Sequence, residues 1–129
     1  MFVVDAIDPK AETEGLWSEF MGAEFKISSA SNSGYQKRLA KMYLPYRRKI
    51  EQGKLDPEIG QELIARALAG NILKDWKGVY TSDGKELKFS VDAAKDALQA
   101  NEDLRDFVLE QASDISNFRT EFKEETAKK

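Results

Sequence analysis

The stretch DPEIGQELIARALAGNILKDWKG, residues 56–78, decides how the rest of the chain is read. Asp56 offers a capping carboxylate, Pro57 suits a first helical position where its missing N–H is not needed, and Glu58 sits near the positive end of the helix dipole. Ile59, Leu63, Ile64, Ala67, Leu68, Ile72, Leu73 and Trp76 follow with helical spacing, which makes one wide apolar face. The pattern predicts a central core helix running to Gly78, with Leu68 and Trp76 as the strongest core candidates.

Downstream, Val79-Tyr80-Thr81 and Glu86-Leu87-Lys88-Phe89 flank Asp83-Gly84, a pair that tolerates the positive φ of a tight hairpin turn. Ser90 is placed to cap a short helix over Val91 to Gln99, and Asn101 to cap another reaching about Phe122. In that last helix Leu104, Val108, Gln111, Ile115, Phe118 and Phe122 are spaced four, three, four, three and four. This is a coiled-coil-like seam with one polar position, suited to the chain's own core or, alternatively, to a partner.

Upstream, residues 1–15 carry acids, Pro9 and little periodicity, and read as loosely ordered. Leu16 to Ile27 surrounds Gly22-Ala23 and alternates over Phe25-Lys26-Ile27-Ser28, which predicts a short hairpin. Asn32 or Ser33 caps a helix from about Tyr35, whose apolar face is Tyr35, Leu39, Met42, Tyr43, Tyr46 and Ile50. Pro45 interrupts it, so a kink or break is expected near Leu44, and Gly53 ends the segment.

A chain of 129 residues with 41% hydrophobic and 33% charged residues is expected to form one domain around one core. It contains no cysteine and no histidine, which removes disulfides, thiolate nucleophiles, imidazole bases and the usual zinc ligands. The carboxylate pairs Asp103 with Asp106 and Asp92 with Asp96 share helix faces, but nothing in the sequence sets their pKa values apart, so a solvated face is the better reading. No glycine pattern cradles phosphate and Asp83-Gly84 lacks the spaced acids of a calcium loop. A non-enzymatic protein without cofactor or metal is expected. No apolar run approaches a membrane span or a signal peptide, so a soluble protein is expected.

The net charge of −3 hides an asymmetry. Between Lys37 and Lys54 lie seven bases and one acid, Glu51, a local excess of six positive charges. Arg47, Arg48 and Lys49 beside Tyr43 and Tyr46 suggest either a nucleic-acid contact or a surface for acidic protein segments. The pI of about 5.1 favours the second.

The block from Ile64 to Val79, followed by Asp83-Gly84-Lys85-Glu86-Leu87-Lys88-Phe89-Ser90, resembles the tail assembly chaperones of long-tailed bacteriophages, and the likeness extends over roughly Tyr35 to Phe122. The resemblance implies a protein of the host cytoplasm, absent from the mature virion, that binds the tape measure protein, keeps it soluble and helps recruit tail tube subunits. It also implies a longer frameshifted form that engages the tail tube protein. Together these readings give a mainly α domain of about four helices with a short N-terminal hairpin and a small Asp-Gly hairpin. Residues 1–34 are expected to be partly irregular, 35–122 helical and 123–129 a flexible tail. The candidate protein-binding residues are Arg47, Arg48, Lys49, Leu104, Val108, Ile115, Phe118 and Phe122, in a homo-oligomer. The alternative is a nucleic-acid-binding regulator using residues 37–54.

Overall fold

Asp56 accepts the Glu58 amide hydrogen at 2.9 Å, and helix α4 (Pro57–Leu68) begins there as its capping sequence requires. The computed structural model describes residues 9–114 and Phe118. Before α4 come a short helix α1 (Pro9–Glu14), strands β1 (Leu16–Phe20) and β2 (Ala23–Ile27), and helix α2 (Ser33–Tyr43). A 3-10 turn (Leu44–Tyr46) then leads into helix α3 (Arg47–Glu51). After α4 come strand β3 (Leu73–Lys77) and helices α5 (Val91–Ala100) and α6 (Glu102–Ser113).

The three strands form one antiparallel sheet in the order β1-β2-β3, so the fold is mixed α/β and not the mainly α domain expected. The overturning element is β3, which occupies the last part of the expected core helix. Helix α4 stops at Leu68, Ala69 turns extended, and Gly70 takes a φ of +82°, a conformation that favours glycine. The Gly70 amide donates to the Leu73 carbonyl at 3.0 Å, which closes the reversal. Leu73 and Trp76 mimic helical spacing because of the register. Phe25 pairs with Trp76 and Lys26 with Asp75, but Ile27 pairs with Leu73, so Lys74 is bulged out. The extra residue lets two side chains three apart both face the core.

Other local signals hold. Asn32 Oδ1 accepts the Gly34 amide hydrogen at the start of α2, and Ser90 Oγ accepts that of Ala93 at the start of α5. Pro45 falls in the 3-10 turn that breaks α2 from α3. The Asp-Gly loop is a reduced hairpin, closed by a bridge between Tyr80 and Glu86, with the Leu87 amide donating to Val79. Two segments differ. Residues 9–14, read as irregular, are helical, and α6 ends at Ser113, short of the expected Phe122.

Ala23, Phe25, Ile27, Leu73 and Trp76 bury one face of the sheet against α4, α5 and α6. Phe25 meets Trp76 edge-on at 6.4 Å, and Phe107 of α6 stacks on Phe20 at 4.5 Å, contacts that add to their apolar burial. Helix α4 packs on α2 and on α5, and α5 packs on α6. Among the described residues, no helix is long and apolar enough to cross a membrane.

Candidate functional site

Helix α2 is anchored by Tyr35, which is buried; burial, and after it the nearby Tyr43, raises its phenol pKa above the ordinary 10.0. Beyond the Pro45 break the chain leaves the core, and α3 contains no buried residue. Lys37, Arg38 and Lys41 on α2 and Arg47, Arg48, Lys49 and Lys54 beyond the break are all exposed, and together they make a basic arm. Arg47 pairs with Glu51 at 3.2 Å, and among the described residues no ion pair joins the other six bases to an acid. Leu44 and Ile50 are 63% and 41% exposed, and with Ala40, Tyr43, Arg47 and Glu51 they line a groove of about 330 Å³. The sequence pattern sets Ile50 on the same apolar face as Tyr35 and Leu39 with a break expected near Leu44, and beyond that break Ile50 is exposed.

The expected seam on α6 is divided. Leu104 and Val108 are buried in the chain's own core, and Phe118 is buried near Leu16 and Trp17 of β1. Ile115 and Phe122 lie outside the described residues, as does the segment 123–129. The solvent face of α6 is acidic, with Glu102, Asp103, Asp106 and Glu110 exposed and in no ion pair among the described residues. Arg105 is turned inward, where Nη1 donates to the carbonyl oxygens of Leu98 at 2.7 Å and Gln99 at 3.2 Å.

The β1–β2 hairpin carries a third surface, which the sequence reading treated as structure alone. Strand β1 lies at the sheet edge, and among the described residues no strand pairs with its outer side. Trp17 is 37% exposed on the outer sheet face, with Lys77 Nζ 4.3 Å from its ring centroid, a cation–π contact. At the turn, Met21 and Gly22 both have positive φ, 51° and 83°. Such two-residue turns favour Asn-Gly or Gly-Gly, yet here the first position is a methionine that is 81% exposed. The pair Met21-Gly22 was the legible signal, since an apolar side chain directly before a turn glycine has no core to enter.

A cleft of about 540 Å³ between α2, α4 and α5 mixes Arg38, Arg66 and Lys95 with Asp92 and Asp96. Arg66 is taken by Glu62 at 2.8 Å and Lys95 lies 3.6 Å from Asp96, so the cleft has no dominant sign. Among the described residues, no three Asp, Glu, His or Cys side chains gather to hold a metal ion.

A model of the YdaY prophage protein family matches residues 30–129. The chain belongs to the YdaY prophage protein family. It is therefore a phage-associated protein, as the resemblance to tail chaperones implied, while the family description makes no reference to tails. The match takes in α2 to α6 with β3 and begins after the β1–β2 hairpin, so the YdaY-family region includes the basic arm and the acidic face of α6. Comparison with curated proteins and with solved structures gave no match.

Proposed function

We propose that this YdaY-family protein is a tail assembly chaperone of its phage. It binds the tape measure protein, keeps that long client soluble and helps bring tail tube subunits to it. It works in the host cytoplasm and leaves before the virion is complete. The observation that carries the reading is Met21. A methionine held at positive φ and 81% exposed is unfavourable twice over, in backbone strain and in apolar exposure. A hairpin tip that carries it favours contact over stability.

Trp17, on the outer face of the same edge strand, adds a second exposed apolar side chain. Methionine and tryptophan suit a client with many similar segments, the first through a flexible thioether and the second through a large flat ring. Many weak contacts of this kind, repeated over several copies, hold a long chain and still release it. Co-expression tests the reading. The tape measure protein of the same prophage should partition into the soluble fraction with this chain and into the pellet without it; equal precipitation in both cases refutes the proposal.

A further inference from the structure

We infer that the basic arm of one molecule docks on the acidic face of α6 of a second copy, so that the chain associates head to tail. The arm supplies an apolar groove between Leu44 and Ile50. Its rim is basic, with Lys41 three residues before Leu44 and Arg48 four after it, neither paired with an acid among the described residues. Bases without an acid partner flanking an apolar groove call for an acidic, partly apolar helix.

Helix α6 is such a helix. Asp103, Asp106 and Glu110 fall at i, i+3 and i+7 on its solvent face and are likewise in no ion pair among the described residues. Leu109, three residues after Asp106, packs on the core and is only partly buried, so that part of it remains accessible beside the stripe. The base on α6 does not offset this charge from the surface, because Arg105 is buried against the carbonyls that end α5. Arm and stripe stand at the two ends of the packing succession α2, α4, α5, α6, and no ion pair among the described residues links them within one molecule. Two different, complementary patches on one chain make a heterologous contact, which propagates into rings or open spirals and does not stop at a dimer. The hairpin edge assigned to the client is not used.

The test uses the chain alone, without any client, in sedimentation velocity. The wild type should form oligomers at low salt that dissociate toward monomer at about 0.5 M salt, where screening acts within a few ångströms. Lys41→Glu with Arg48→Glu should be monomeric, and so should Asp106→Lys with Glu110→Lys, each with at least a ten-fold weaker self-association. An equimolar mixture of the two reversed proteins should reassemble, because each then offers the surface that complements the other. All four positions are exposed, so circular dichroism should be unchanged. A wild type that is monomeric at low salt overturns the proposal, as do salt-independent oligomers or a mixture that stays monomeric. Binding of a DNA duplex by wild-type monomers, lost on arm reversal, would assign the bases to nucleic acid and overturn it equally.

Discussion

The indole N–H of Trp76 donates to the carbonyl oxygen of Leu87 at 2.8 Å, tying strand β3 to the loop that returns from the Asp-Gly turn. Trp76 is also packed edge-on between Phe25 and Phe89, at 6.4 and 5.3 Å. The residue therefore joins the sheet to the segment that leads into α5, and its two roles can be separated. Trp76→Ala should cost about 3 to 5 kcal/mol in urea unfolding, as large-to-small changes in aromatic cores do. Trp76→Phe keeps most of the packing and strands the Leu87 carbonyl, which should cost about 1 to 3 kcal/mol. Equal losses for the two variants would show that the hydrogen bond, and not the ring, holds the loop.

Gly70 marks where helix gives way to sheet. Gly70→Ala places a Cβ 3.1 Å from Val91 Cγ2 on a backbone with φ of +82°, and the left-handed conformation alone costs about 1 to 2 kcal/mol for an L-residue. Adding Val91→Ala should recover the part due to contact and leave the backbone part. Full recovery would show that the conformation carries no strain.

Arg105 replaces a glycine-type cap at the end of α5 by donating to Leu98 and Gln99. Arg105→Met keeps the aliphatic length and removes both bonds. Thermal unfolding should report a loss of about 1 to 3 kcal/mol, the cost of leaving buried acceptors unpaired. Lys at this position should recover less than half, since an ammonium lacks the planar donor fork.

The raised pKa of Tyr35 fixes a pH dependence. The folded protein holds this proton more tightly than the unfolded chain, so its contribution to stability is complete below the ordinary phenol pKa near 10.0 and is lost as pH rises above it. The denaturation midpoint should fall through this alkaline window. Tyr35→Phe should flatten that fall and leave the neutral range unchanged in slope.

What the sequence made legible was mostly local. The caps at Asn32, Asp56 and Ser90, the break at Pro45 and the β1–β2 hairpin each depend on residues within a few positions of one another. Strand β3 was not legible because its partner, β2, lies some fifty residues earlier and its bulge at Lys74 gives Leu73 and Trp76 the spacing of a helix. Gly70-Asn71 held the correcting signal, a glycine and an asparagine in succession, but the apolar run on both sides outweighed it. Of the candidate binding residues, Arg47, Arg48 and Lys49 are displayed on the arm, while Leu104, Val108 and Phe118 are buried in the chain's own packing. A periodic apolar face reads alike whether its partner is internal or external.

The soluble fraction of the co-expressed tape measure protein, compared between wild type and two hairpin variants, tests the chaperone reading most directly. Met21→Asn suits the turn and should raise stability by about 0.5 to 1 kcal/mol, while Trp17→Ser removes the exposed ring from the outer sheet face. Both variants should fold, Met21→Asn should melt higher than wild type, and both should leave more of the client in the pellet. Undiminished client solubility with both variants would contradict the hairpin as the holding surface, and a client equally insoluble with the wild type would contradict the chaperone itself.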